Sequence, residues 1–234
     1  MKMNSSLNVF THFPYVANLA GSKEILAWNG DATQDKKTRA LLTNLQYELN
    51  TIAKLKTDTN RIGVVIHPGN YVNEQLGLLN IAKSINMINF DENAILILEN
   101  SAGGGTSLAT TFKQIKTIID AIHDNKRKHV RVCVDTAHIY GYGDYNLSKI
   151  EEVDRMFKDF DDIIGIEYFH LLHLNDSEVK LKTRKDRHAC LGQGFIWSDS
   201  FDSLIHLIEK CKMYNIPIIL ETHSSDMEVL LRLG

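Results

Sequence analysis

The chain has 234 residues, 44% of them hydrophobic and 24% charged, with a formal net charge of −3. This is ordinary globular usage, and it excludes a collagen, a coiled coil or a disordered chain as the main architecture. No apolar run is long enough to span a bilayer, and the N-terminus lacks a signal-peptide core, so an intracellular location (cytoplasm, or nucleus in a eukaryote) without secretion or membrane contact is expected. Three widely spaced cysteines, Cys133, Cys190 and Cys211, form neither a disulfide framework nor a paired metal motif. The charge balance lacks the excess of lysine and arginine that marks an unaided nucleic-acid binder. In chain order, short apolar runs of strand character alternate with segments of helical period. The expected strands are Leu7–Thr11, Gly63–His67, Ala94–Glu99, Val130–Asp135, Tyr168–Leu174 and Ile216–Glu221. The expected helices are Lys37–Lys56, Glu74–Asn89, Leu108–Asn125, Lys149–Phe160, Ser200–Tyr214 and a last one from Ser225.

Apolar strands separated by helices predict a parallel sheet covered on both faces, either doubly wound or closed into a β/α barrel. The strand ends favour the barrel. His12 follows the first run, His67 ends the second, Glu99 the third and Asp135 the fourth, with His138 just beyond. The fifth carries His173 near its end and the sixth ends at Glu221. In a barrel such tips converge on one face. His170 and His173 have opposite parity, so His173 is read as inward with Leu171 and Asn175, and His170 as packing outward. No linker or repeat interrupts the sequence, so residues 1–234 are read as one domain, an α/β TIM-type barrel. It is incomplete, with about six of eight β/α units and an abbreviated N-terminus.

Nine residues are candidate metal ligands: His12, His67, Glu99, Asp135, His138, His173, Asp186, His188 and Glu221. Imidazole and carboxylate without thiolate suit catalytic zinc, or manganese at one or more positions. Nine ligands exceed what one tetrahedral ion takes and suit two or three ions with a bridging carboxylate. A cluster of that kind clamps the attacking and leaving oxygens of a phosphodiester. Three divalent cations would move the chain from −3 to about +3, so the acidic balance does not exclude a DNA substrate. Other features have plainer readings. Gly103-Gly104-Gly105 lacks a following Gly-Lys-Ser/Thr and reads as a strand-to-helix turn. Asn125–His129 reads as a solubilising turn, Cys133 as buried strand packing, and Leu204, Ile205, Leu207 and Ile208 as core.

Six blocks then occur in order: His67-Pro68-Gly69, Glu99-Asn100-Ser101-Ala102-Gly103, Asp135-Thr136-Ala137-His138, His173-Leu174-Asn175-Asp176, Asp186-Arg187-His188 and Leu220-Glu221-Thr222. They resemble the signature blocks of the endonuclease IV family of zinc-dependent apurinic/apyrimidinic endonucleases. The stretch His12–Ala20, with Tyr15 and Asn18-Leu19-Ala20, resembles that family's first ligand block.

The resemblance implies a β/α barrel with three zinc ions. One would be held by His12, His67 and Glu99. The second would be held by Glu99 as bridge with Asp135, His173 and Glu221, and the third by His138, Asp186 and His188. A hydroxide bridging the first two ions would attack the phosphate 5′ to an abasic sugar in double-stranded DNA, leaving a 3′-hydroxyl and a 5′-deoxyribose phosphate. Cleaning of blocked 3′ ends would be a second activity. Glu99, Asp135 and Glu221 are the residues on which catalysis would depend. Tyr15 and Val16 would enter the minor groove at the gap, where flipping costs least. Lys182, Arg184, Lys185 and Arg187, with Lys180, are the candidate phosphate contacts. The rival readings are a metal-dependent sugar isomerase or epimerase, and a protein that binds damaged DNA without cutting it. A monomer is expected, with dimerisation through an open barrel edge as the alternative.

Overall fold

The computed structural model describes residues 7–21, 36–222 and 225–233. The elements run β1 (Val9–His12), α1 (Lys36–Ala53), β2 (Ile62–Ile66), α2 (Glu74–Asn86), β3 (Leu96–Glu99), α3 (Phe112–Asp120), α4 (Asp124–Arg127), β4 (Val130–Asp135) and α5 (Thr136–Tyr142). There follow α6 (Ile150–Ile163), β5 (Phe169–His173), β6 (Asp176–Ser177), β7 (His188–Ala189), α7 (Asp202–Met213), β8 (Ile218–Ile219) and α8 (Ser225–Leu233). Chain contacts divide this sequence into two compact units, Met1–Glu99 with Lys116–Arg131, and Asn100–Ile115 with Val132–Gly234. No helix among the described residues is long and apolar enough to cross a membrane.

In the first unit β1, β2 and β3 pair in parallel, with Val9 opposite Ile62 and Val64 opposite Leu96. All five residues of β2 are buried, as a strand covered on both faces requires. Gly63 is needed there, because a Cβ would sit 2.4 Å from the Ile97 side chain. α1 buries Leu42, Leu45, Leu49 and Ile52, a stripe at helical spacing. α2 begins where the Asn73 side chain accepts a hydrogen bond from the Leu76 amide. The loops after β1 and β2 are knitted by Asn18. Its Oδ1 accepts from the amides of Ala20 (3.0 Å) and Asn70 (3.2 Å), and its Nδ2 donates to the carbonyls of Gly21 and Asn70.

In the second unit β4, β5 and β8 pair in parallel, with Asp135 opposite His173 and His173 opposite Ile219. Its core includes Phe112, Phe157, Phe160 and Phe169, whose rings contact one another at 4.7–5.5 Å. Six parallel strands are therefore described, three in each unit, against the eight of a complete barrel.

Several boundaries differ from the sequence expectations. The helix expected over Leu108–Asn125 starts at Phe112, because Ser101 holds the preceding loop: its amide donates to the Ala109 carbonyl and its hydroxyl to that of Leu108. Asn125–His129 is more than a turn. Lys126 and Arg127 donate to carbonyls of Asn86, Ile88, Ile119 and Ile122, and the buried His129 stacks on Phe90. The last expected strand shortens to Ile218–Ile219. Tyr168 belongs to a 3₁₀ turn that follows Gly165 at φ +106°.

α5, β6 and β7 lie outside the expected elements. β6 and β7 pair antiparallel, and the segment between them carries the basic residues 180–187. This segment is strapped onto the end of α5: the amides of Lys182 and Arg184 donate to the carbonyls of Tyr140 (3.3 Å) and Gly141 (2.8 Å). Those carbonyls are among the four that a helix C-terminus leaves unpaired. Gly143 caps the helix in the left-handed region, and a Cβ there would meet Lys182 Cβ at 2.6 Å. Lys182 and Arg184 themselves adopt positive φ, 66° and 56°. Left-handed backbone costs a non-glycine residue roughly 1–2 kcal/mol, of which a glycine would return about 0.5–1 as chain entropy. Lys182→Gly is therefore expected to raise the unfolding free energy by about 0.5 kcal/mol, measured by urea denaturation.

Candidate active site

In the first unit three of the expected ligands meet. β1 ends at His12, His67 follows β2 directly, and Glu99 ends β3. The His12 Nδ1–H donates to the carbonyl of Phe13 at 2.9 Å. A carbonyl only accepts, so this contact assigns a proton to Nδ1, and in the neutral ring Nε2 is the lone-pair nitrogen. That Nε2 lies 2.9 Å from Glu99 Oε2, and His67 Nε2 lies 3.5 Å from the same oxygen. Glu99 is 1% exposed. A buried carboxylate facing two imidazole nitrogens requires a shared proton or a cation. His12, His67 and Glu99 offer ligand atoms within 4.8 Å of one another, a spacing that admits a metal ion.

The second unit repeats the arrangement. Asp135 closes β4 and caps α5, its Oδ1 accepting from the His138 amide at 2.8 Å. This cap places His138 in the first turn, buried, with its Nδ1–H donating to the Asn100 carbonyl at 2.9 Å. His138 Nε2 then faces Asp186 Oδ1 at 3.1 Å, and His188 Nε2 faces the same oxygen at 3.3 Å. Both Nε2 atoms are buried. Burial, the largest influence on Asp186, would raise its carboxyl, but the two neighbouring rings outweigh it and hold the group below the usual carboxylate range. For His188, burial acts downward and Asp186 and Asp135 upward, and the net displacement is upward. Two imidazoles and one ionised carboxylate converging here, with the His138 ring held from behind by a carbonyl, are a donor set that fits a divalent metal once the facing nitrogens are unprotonated.

The remaining expected ligands of this unit, His173 and Glu221, also meet. His173 is buried at the end of β5, as parity predicts, and its Nδ1 lies 3.3 Å from Glu221 Oε2. Asp135 Oδ2 stands 3.8 Å from His188 Nε2, so Asp135 also approaches the pair expected to take the third ion. Asp135, His138 and His188 form a second group with ligand atoms within 4.8 Å. An open cleft of about 450 Å³ is lined by Glu178, His188, Cys190, Gln193, Glu221 and Thr222.

The expected DNA contacts are all on the surface. Tyr15 and Val16 are 69% and 91% exposed on the loop after β1, and the Tyr15 ring stands edge-on to His67 at 4.9 Å. Lys182, Arg184, Lys185 and Arg187 are exposed on the strap, with the Arg184 guanidinium 5.2 Å from the Tyr142 ring.

Three polar residues with structural parts lie in the quoted blocks, where the sequence assigns them no role. Asn100 accepts the Asp135 amide at 2.7 Å and supports His138 through its carbonyl. Asn175 donates to both Asp135 and Glu221. Asp176 is buried and accepts the amides of Ser177, Gly192, Gly194 and Ile196, which fixes the loop beside the cleft. Burial pushes its carboxyl up, against the opposing effect of those four donors. Membership of the quoted blocks, and for Asn175 its parity with His173, is the signal in the sequence; the contacts these residues make are not announced by spacing.

The probable endonuclease 4 of Chlorobium phaeovibrioides is 38% identical over 174 residues, which is 70% of this chain and 60% of that protein. The chain thus spans about 60% of the length of such curated relatives. The crystal structure of endonuclease IV from Thermus thermophilus superposes with a TM-score of 0.72 at 25% identity, covering 97% of this chain and 74% of that one. A D-tagatose 3-epimerase-like protein shares the fold at a TM-score of 0.67 and 18% identity, covering 97% and 77% of the two chains. The profile of the xylose isomerase-like TIM barrel family matches residues 4–232, nearly the whole sequence, and the chain belongs to that family.

Proposed function

We propose that this chain is a metal-dependent endonuclease that cuts the phosphodiester 5′ to abasic sites in double-stranded DNA, leaving a 3′-hydroxyl and a 5′-deoxyribose phosphate. Trimming of blocked 3′ ends is proposed as a second activity of the same site. The observation that carries the reading is the twofold occurrence of one arrangement. In each unit a histidine donates Nδ1–H to a backbone carbonyl and turns Nε2 onto a carboxylate oxygen shared with a second histidine. Similarity to proteins named endonuclease 4, and to the apurinic-apyrimidinic endonuclease 1 of Plasmodium falciparum, supports the substrate class.

His12, His67 and Glu99 would hold one ion, Asp135, His173 and Glu221 another, and His138, Asp186 and His188 a third. Zinc suits this nitrogen and oxygen donor set, and manganese is the other ion it would accept. Bound, such ions supply Lewis acidity and water activated near neutral pH. The chain's own residues do the rest. Asn100 and the Phe13 carbonyl keep the ligating rings in one tautomer. Tyr15, beside His67, and the exposed Val16 would fill the space of the missing base. The strap cations would neutralise backbone phosphates beside Asp186 and His188.

An epimerase-type reading draws on the shared fold alone. The His138–Asp186–His188 triad, a further donor set beyond the one or two ions such sugar enzymes hold, favours the nuclease.

The test is a nicking assay with zinc-loaded protein, an abasic duplex and an intact one. A single cut 5′ to the lesion is expected on the first duplex only, reduced on the order of 100-fold or more by Glu221→Gln. Absence of cutting by fully loaded protein would refute the reading. The phosphate contacts are read separately, by binding to the abasic duplex as salt is varied. Arg184→Ala and Arg187→Ala are each expected to reduce the slope of log affinity against log salt by about 1.

A further inference from the structure

Asn175 follows β5 with no exposure to solvent, and every polar group it carries is engaged. Its Nδ2 donates to Asp135 Oδ2 at 2.6 Å and to Glu221 Oε2 at 2.9 Å, which spends both amide protons. Its Oδ1 accepts from the Glu221 amide at 3.3 Å. Its own main chain is fixed by Thr136, whose Oγ1 accepts the Asn175 amide at 2.8 Å and donates to its carbonyl at 2.7 Å. A carboxylate only accepts, so the amide orientation is set by its two partners.

One neutral side chain thus ties together two carboxylates from different strand ends. Ionised carboxylates in one pocket repel, and without a donor between them they share a proton or turn apart. Lysine or arginine in this place would neutralise the pair and compete with a metal for it. An amide orients both groups and leaves their charge intact for a cation. Asp135 is further restrained through its other oxygen, which accepts the His138 amide at 2.8 Å. Glu221 lies beyond the two-residue strand β8, and within this unit its side chain takes its amide donor from Asn175.

We propose that Asn175 is a positioning residue that holds Asp135 and Glu221 as a preorganised pair of metal-ligating carboxylates. The proposal rests on the metal-dependent reading above. The test compares zinc affinity of the full chain, its Asn175→Ala variant and its isosteric Asn175→Asp variant, by titration against a chromophoric chelator. Circular dichroism of the metal-free proteins is recorded in parallel. Both variants are expected to fold and to bind their weakest ion on the order of 10–100-fold less tightly than the parent. A purely structural asparagine would leave the isosteric Asp variant near parental affinity. The proposal is overturned if either folded variant stays within about twofold of the parent, or if neither variant folds. A parent chain that binds no zinc would instead refute the metal-dependent reading itself, and the proposal with it.

Discussion

The structure depends on a contact that needs a shared proton or a cation to be satisfied. A lone-pair nitrogen of imidazole faces a carboxylate oxygen at about 3 Å, once at His12 and Glu99 and again at His138 and Asp186. In each case the other ring nitrogen is already committed to a backbone carbonyl. The ring cannot flip or change tautomer without losing that bond, so the facing atoms stay electron-rich unless something positive sits between them. Folding supplies the enclosure: Glu99 and His138 are almost completely buried. A divalent cation bound in each cluster would satisfy the facing nitrogens and carboxylate oxygens there.

The architecture serves this constraint in layers. Parallel strands bring the ligands out at their carboxyl ends, where β/α barrels build sites. Loops then set each ligand's angle, and the loops themselves are held by buried polar side chains. Asn18 knits the turns after β1 and β2. Asp176 gathers the amides of Ser177, Gly192, Gly194 and Ile196. The strap carrying Asp186 is hung from the unpaired carbonyls at the end of α5, the same helix that presents His138. Backbone strain at Lys182 and Arg184 accompanies that attachment, in keeping with the habit of functional sites to hold unfavourable conformations.

The polar strand-end residues are legible in the sequence because burial on both faces makes parallel strands read as apolar runs, and a polar residue at the end of each stands out. Parity separated His173 from His170 for the same geometric reason. The β6–β7 pair was not legible: two residues per strand are too few for any period to register. The start of α3 was misplaced because helical spacing continues back to Leu108, while Ser101, far from it in the window, holds that stretch as a loop. Asn175 was visible as an inward residue, yet its part depends on two carboxylates 40 and 46 positions away in the chain. His129 shows the converse error, since a basic run reads as surface while its last ring is buried against Phe90.

The most direct measurement is anomalous diffraction at the zinc absorption edge from crystals of the zinc-equilibrated chain. The account predicts strong peaks within about 2.0–2.2 Å of His12, His67 and Glu99, and of His138, Asp186 and His188. Fully formed clusters with no anomalous signal at either position would contradict it, because the facing nitrogens and carboxylates would then be held together by protons alone.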